Sequence, residues 1–136
     1  MMPPKRTRTF VDASVLINAI AGVDAARRMR ALAVLGDPRR VFVASEYLRL
    51  EVMPIAVRYK LSKEIAFYER FFAGVTKWIT PTRLIKPAYN LACQYGLGAM
   101  DALHLAAASA AKAEFVSAEK LTKPIYSAYA GAVSIY

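Results

Sequence analysis

The sequence is poor in cysteine and histidine, with one residue of each among its 136 residues. A single cysteine, Cys93, excludes an intrachain disulfide, and the sequence has no Cys/His cluster of the kind that holds structural zinc. Disulfide-dependent secreted folds are therefore excluded as a class. The chain suits a reducing compartment, and we expect it to be cytoplasmic.

Long apolar runs are also missing. No segment approaches the roughly 20 apolar residues that a transmembrane helix needs, so we expect no contact with a membrane. The basic residues 3–8 and the apolar residues after them imitate a secretory signal, but Asp12 and Asn18 interrupt that apolar centre. We therefore interpret residues 1–136 as a single soluble domain, which at this size buries roughly two-thirds of its unfolded surface.

Acidic residues are scarce: ten Asp and Glu stand against nineteen Lys and Arg, for a formal charge of +9. This excess favours a polyanionic partner such as nucleic acid, which basic side chains bind through its phosphates. The alternative is a basic surface that only keeps the protein soluble. A hydrophobic content of 57% and a mean hydropathy of +0.28 indicate surplus apolar surface for a partner or for self-association.

Short apolar runs alternate with stretches of helical periodicity. Strands are predicted at residues 9–11, 41–44, 75–79, 115–117 and 132–135, and helices at 14–20, 25–35, from about 46 to 59, 62–73, 82–95 and 100–111. Asp24 is expected to cap the second helix, and Leu48, Val52, Ile55 and Tyr59 to form the apolar side of the third. The alternation predicts a three-layer α/β domain in which helices flank a mostly parallel sheet.

An acid interrupts the first apolar stretch, Thr9 to Ile17, at Asp12. A carboxylate at a step from strand to helix lies at the carboxyl edge of the sheet, where open α/β folds bind ligands. Asp12 is therefore the first candidate for chemistry. The alternative is a structural cap, in which an oxygen of Asp12 or Ser14 accepts from free amides of the next helix.

Three further acids have a similar setting. Glu51 lies in the helix after the second strand, Asp101 opens an almost wholly apolar helix, and Glu119 follows the fourth strand by two residues. Because the carboxyl ends of parallel strands share one edge, these acids are expected to meet in one crevice. Clustered carboxylates repel unless a cation neutralises them, and oxygen ligands suit Mg²⁺ or Mn²⁺.

Each of these residues also has a structural interpretation. Asp101 at a helix N-terminus is favoured by the helix dipole, which would also keep it ionised, and Glu51 could pair with Arg49 or Arg58. His104 shares the helical face of Asp101, but a lone histidine on an apolar helix is more often packed and hydrogen-bonded than a ligand or a base. If these acids do form one centre, the combination of that acidic centre with a basic surface is typical of a metal-dependent nuclease.

Four segments resemble the acidic segments of PIN domains, in order and at appropriate spacings: FVDASVLI, SEYLRLEV, AMDALHLAAA and FVSAE. The resemblance covers nearly the whole chain, and the length of the chain is similar to that of VapC-type toxin ribonucleases. It implies a PIN fold, Mg²⁺- or Mn²⁺-dependent endonucleolytic cleavage of RNA, and a cognate antitoxin that covers the site. A homodimer is also expected, from the resemblance and from the apolar surplus.

By this resemblance the catalytic acids are Asp12, Glu51, Asp101 and Glu119. Asp12 and Asp101 would bind metal directly, with Ser14 and Ser117 as supporting hydroxyls. The fourth segment departs from the family pattern, since Ser117-Ala118-Glu119 stands where Thr-x-Asp is usual. This departure keeps open a catalytically silent PIN-like module that binds RNA or protein. A PIN nuclease of RNA processing would carry the same acids, and a DNA nuclease or phosphatase on a related sheet is a third alternative.

Overall fold

The computed structural model describes residues 5–136, so part of the signal-like basic start lies outside the described residues. The strands are β1 (Thr7–Val11), β2 (Arg40–Ser45), β3 (Lys77–Ile79), β4 (Glu114–Ser117) and β5 (Ala132–Ser134). The helices are α1 (Ala13–Ala21), α2 (Ala25–Leu35), α3 (Glu46–Arg58), α4 (Ser62–Ala73), α5 (Ile85–Tyr95), α6 (Ala99–Ala110) and α7 (Ile125–Ala128). A 3₁₀ turn, Pro81–Arg83, precedes α5. No helix within residues 5–136 is both long and apolar enough to cross a membrane.

The five strands form one sheet in the order β3-β2-β1-β4-β5, and every neighbouring pair is parallel. Strand β1 is central, and its last three residues are fully buried, as expected for a strand covered on both faces. The predicted α/β architecture, a parallel sheet flanked by helices, is confirmed.

Two groups of helices cover the sheet. Helices α1 to α4 pack against one another, and α5 packs against both α6 and α7. Right-handed crossovers place these groups on opposite faces, which gives three layers. Helix α3 also contacts α6 across the carboxyl edge of the sheet. The largest fully buried side chains of the core include Phe10, Leu16, Leu48, Leu84, Leu105, Phe115 and Ile125.

Several local expectations were wrong in detail. In α3 the buried positions are Leu48, Val52 and Ala56, whereas Ile55 is 62% exposed and Tyr59 66% exposed. The small Ala56 continues the i, i+4 row of Leu48 and Val52, so it, and not the larger Ile55, faces the core. Strand β3 begins at Lys77, two residues later than predicted.

The region between β3 and α6 also differs from the prediction. One helix was expected over 82–95, interrupted near Pro87, but a 3₁₀ turn comes first and α5 begins at Ile85. Pro87 therefore lies in the first turn of α5, where backbone amides have no acceptor within the helix and proline removes no bond. Gly96 ends α5 with φ +71, a left-handed conformation that glycine adopts without strain.

Candidate active site

The strand order has a switch point at the centre of the sheet. From β1 the chain goes to β2 on one side, whereas β4 lies on the other side of β1. In open parallel sheets the crevice beyond the carboxyl ends of two such strands is the usual ligand site. Asp12 directly follows β1, Ser117 ends β4, and the Asp12 amide donates to Val116 O at 2.9 Å. The first and fourth acidic segments therefore flank this crevice.

Asp12 is 4% exposed and stands at the N-cap position of α1, but its side chain makes no capping hydrogen bond. Its Oδ2 accepts instead from Ser117 Oγ at 2.9 Å and from Ser14 Oγ at 3.1 Å. The capping alternative is therefore wrong for Asp12. Both side-chain donors that reach this carboxylate within residues 5–136 end on Oδ2, which leaves Oδ1 to a ligand.

The two serines are themselves held by backbone amides. Ala118 N–H donates to Ser14 Oγ at 3.0 Å, and Glu119 N–H donates to Ser117 Oγ at 3.1 Å. A hydroxyl has one proton, so each serine that accepts from an amide directs its proton toward Asp12. The two hydroxyls also lie 3.4 Å apart. The loop after β4 thus fixes the orientation of Asp12.

Glu51 projects from the second turn of α3 and has a side chain that is 32% exposed. Its Oε2 lies 2.8 Å from His104 Nε2, and neither Arg49 nor Arg58 pairs with it. Arg49 bonds to Glu46 at 3.4 Å instead. The structure therefore brings Glu51 to the crevice rather than to a surface ion pair.

Asp101 lies in the first turn of α6, two residues after the helix begins. Burial raises the pKa of this carboxyl, and the negative charge of Asp12 is the next largest cause. Glu119 and Glu51 raise the same pKa further, while His104 opposes them. The charges of the other three acids therefore reach Asp101.

Glu119 lies in the loop after β4, and both its backbone amide and its backbone carbonyl make hydrogen bonds. Its amide bonds to Ser117 Oγ, and its carbonyl accepts from Tyr126 Oη at 2.6 Å and from Ser134 Oγ at 2.8 Å. The carboxylate makes no hydrogen bond within the described residues. Glu119 is thus held by its backbone, and its side chain is one methylene longer than that of an aspartate.

The crevice holds donors that suit a metal ion. Asp12 and Glu51 each offer a carboxylate oxygen, and with a ring nitrogen of His104 these atoms lie within 4.8 Å of one another, a group that does not include Asp101 or Glu119. Carboxylate oxygens are the ligands that Mg²⁺ and Mn²⁺ prefer, whereas Nε2 of His104 already contacts Glu51. A divalent cation would also offset the negative charges that, after burial, raise the pKa of Asp101. The residues present fit a divalent cation.

His104 is the residue of this crevice that sequence reasoning left out. It is completely buried, and the ring of Phe10 lies 5.3 Å away, centroid to centroid. The interpretation of a packed, hydrogen-bonded histidine agrees with this position. Its spacing of three residues from Asp101 was the only signal for the crevice, because its partner Glu51 is 53 residues away.

Several arginines already make ion pairs or aromatic contacts within the fold. Arg40 is held by Asp37 at 3.6 Å and by Glu114 at 3.0 Å, and Arg39 pairs with Asp37 at 3.1 Å. Arg27 lies 3.9 Å above the ring of Tyr136. These contacts occupy three arginines that could otherwise bind phosphates.

The family model described as PIN domain matches residues 9–121, a span that contains all four acidic segments. The chain therefore belongs to the PIN domain family. No curated protein sequence matches it.

Solved structures share the fold. A chain of a toxin-antitoxin complex from Klebsiella pneumoniae is 19% identical with a TM-score of 0.70, and the match covers 94% of this chain and 98% of that one. A chain of VapBC2 from Rickettsia felis, solved bound to a DNA fragment from the promoter, is 17% identical with a TM-score of 0.61. That match covers 83% of this chain and 89% of the other. At these identities the likeness establishes the architecture.

Proposed function

We propose that this PIN domain is a metal-dependent endoribonuclease of the cytoplasm and the toxin of a type II toxin-antitoxin pair. The observation that carries the proposal is the pair of carboxylates, Asp12 and Glu51, with ligand atoms within 4.8 Å of each other in a chain of formal charge +9. The charges of Asp12, Glu119 and Glu51 add to burial in raising the pKa of Asp101, which supports including Asp101 and Glu119 in the same crevice. Neighbouring carboxylates repel one another and reduce the stability of the metal-free fold, and a bound cation would offset that repulsion. Perturbed pKa values of this kind cluster at functional sites. Basic charge elsewhere supports an RNA substrate, whose phosphates it would hold.

The four acids would have different roles. Asp12 and Asp101 would hold Mg²⁺ or Mn²⁺ directly, since each is a short side chain fixed at a strand end or a helix start. Glu51 would orient the attacking water or a second ion, and Glu119 would act through a bound water. Ser14 and Ser117 keep Asp12 in its binding orientation. A cation held by these residues would supply activation of the water and stabilisation of the departing oxygen of the phosphodiester.

The partner proposals rest on the fold neighbours and on the surface. Both neighbouring structures come from toxin-antitoxin complexes, which supports a cognate antitoxin for this chain. Large apolar side chains also face solvent, among them Leu50, Ile55, Ile85 and Tyr89. Such surface on a small domain favours a protein partner and a homodimer. Light scattering and co-purification with the product of the adjacent gene test these two points.

One observation favours a second candidate, a PIN-like module that binds RNA or protein without cleaving it. The fourth segment carries Glu119 where the resemblance leads us to expect aspartate. A silent module would bind RNA in a salt-dependent way but would not convert it. A PIN nuclease of RNA processing would cleave RNA without inhibition by a neighbouring gene product.

The test is cleavage of matched RNA and DNA substrates while Mg²⁺ or Mn²⁺ is titrated. The proposal expects RNA to be cut internally, no cleavage in chelator, and inhibition when the adjacent gene product is added. The same assay is applied to Glu51→Gln, which removes a charge from the crevice. Its matched control is Glu46→Gln, because both residues lie on α3 but Glu46 faces solvent. RNA binding without cleavage would favour the silent module, and cleavage of DNA alone would favour a DNA nuclease.

A further inference from the structure

His104 is buried on α6 with its two ring nitrogens in unequal surroundings. Nε2 lies 2.8 Å from Oε2 of Glu51, while Nδ1 is buried and has no hydrogen-bond partner within residues 5–136. The contact joins α3 to α6, helices on opposite faces of the sheet. It is thus a tertiary bond at the crevice and not part of either helix.

The geometry indicates which nitrogen carries the proton. An ionised carboxylate only accepts, so a contact of 2.8 Å between Glu51 and an imidazole nitrogen requires N–H on Nε2. The opposite arrangement, with the proton on Nδ1, would leave a buried N–H without an acceptor. Unpaired buried donors are rarer than unpaired acceptors, which favours Nε2–H and a bare Nδ1.

A protonated Nε2 has no lone pair for a metal. Although a ring nitrogen of His104 lies within 4.8 Å of ligand atoms of Asp12 and Glu51, a proton on Nε2 that is donated to Glu51 leaves this nitrogen out of the ligand set. The side chain of Glu51 is long and 32% exposed, so holding it in one rotamer costs conformational entropy. A rigid, completely buried donor removes much of that freedom before a ligand arrives.

We propose that His104 is a positioning residue that donates from Nε2 to Oε2 of Glu51 and holds this carboxylate toward Asp12, leaving Oε1 of Glu51 for the cation or its water. The proposal rests on the proposed metal-dependent function of the same crevice. It assigns His104 no direct contact with metal, water or substrate. The effect of His104 on the reaction would pass entirely through Glu51.

The variants His104→Gln and His104→Met separate positioning from packing. Glutamine has an amide N–H of similar reach, whereas methionine fills the space without a donor. We expect His104→Met to weaken Mg²⁺ affinity, measured by calorimetry, by about 10 to 100-fold, as losses of ligand-orienting bonds do. His104→Gln should recover most of that loss. Equal losses in both variants, or unchanged affinity in His104→Met, would overturn the proposal.

A second measurement does not depend on any variant. Because the chain has one histidine, its two ring ¹⁵N resonances are unambiguous. We expect a proton on Nε2 in the metal-free protein and the same proton after Mg²⁺ is added. A bare Nε2 in the metal-free state, or loss of its proton when Mg²⁺ binds, would overturn the proposal and make His104 a ligand.

These readouts also separate the inference from the proposed nuclease function. If the protein binds Mg²⁺ and shows the Nε2 proton but cuts no RNA, the nuclease function is wrong and the positioning role of His104 stands. If it cuts RNA but Nε2 is bare, the nuclease function stands and the positioning role is wrong.

Discussion

Ser117 Oγ donates to Oδ2 of Asp12 at 2.9 Å, and this bond joins the carboxyl ends of two neighbouring strands, β4 and β1. Ser14 adds a second donor from the start of α1. Since amides of the loop after β4 orient both hydroxyls, the carboxylate is fixed before any ligand binds. The crevice is preorganised around its most buried acid.

Removal of one hydroxyl should therefore affect metal binding more than it affects the fold. Ser117→Ala takes one of two donors from Asp12 and leaves the Glu119 amide without its acceptor. We expect Mg²⁺ affinity to fall by about 10 to 100-fold while cleavage at saturating metal stays measurable. The control is Ser109→Ala, at the exposed end of α6. Affinity equal to that of the control in a titration by calorimetry would contradict this role.

Asp101→Asn should stabilise the metal-free protein at neutral pH. Burial and the charge of Asp12 raise the pKa of the Asp101 carboxyl above 3.8 in the folded protein. Well below pH 3.8 this carboxyl is protonated in both the folded and the unfolded protein, so it has no effect on the free energy of unfolding. As pH rises from 3.8 to the higher folded pKa, the unfolded state loses its proton while the native state keeps it, so stability falls, and the loss stays at higher pH. The variant lacks this loss, so its Tm in chelator should exceed that of the wild type near pH 7.

The matched control has the opposite sign. Asp24 caps α2 by accepting from the Arg27 amide, and this bond lowers the pKa of its carboxyl. Asp24→Ala should therefore lower Tm near pH 7. A Tm of Asp101→Asn that is equal to or below the wild type in chelator would contradict the crowding of acids at the crevice.

Glu119 should contribute less to metal binding than Asp12 or Asp101. Its side chain is one methylene longer than the aspartate usual in the family and is held only through its backbone. We expect Glu119→Gln to weaken metal affinity by about 10 to 100-fold and to retain cleavage at high Mn²⁺. Complete loss of cleavage at saturating metal would make it an essential ligand, and no change at any concentration would remove it from the site.

RNA affinity should fall steeply as salt rises, because cations that neutralise phosphates release counterions. Binding is best measured on Asp12→Asn, which should not cut the RNA. Arg28 is exposed, so Arg28→Gln should reduce the slope of log K against log salt, by about 0.7 per lost single-strand contact. Arg39→Gln, which loses an arginine already paired with Asp37, should change the slope less. A flat salt response would show that the basic surface does not bind RNA.

Much of the fold could be predicted because its signals are local. The helix over Ser62–Ala73 was predicted at its observed bounds, and Asp24 caps α2 as expected. The buried side of α3 could not be predicted, because hydropathy favours Ile55 while the packing of neighbouring helices favours the small Ala56. Which face of a helix is buried is a property of the surrounding structure.

The site divides in the same way. The placement of Asp12 follows from the strand that precedes it, but the choice between a cap and a ligand depends on Ser117, which is 105 residues away. The bond between His104 and Glu51 also joins distant segments and leaves no local pattern in the sequence. The sequence indicates which residues are candidates, whereas their hydrogen-bond partners required the fold.

The most direct test of the central claim is the rate of RNA cleavage by the wild type, Asp12→Asn and Glu46→Gln at the same Mg²⁺ concentration. Asp12→Asn keeps the shape of the side chain and removes its charge, so circular dichroism should report an unchanged fold. The account predicts cleavage by the wild type and by Glu46→Gln, and none by Asp12→Asn or by the wild type in chelator. Wild-type cleavage by folded Asp12→Asn would contradict it.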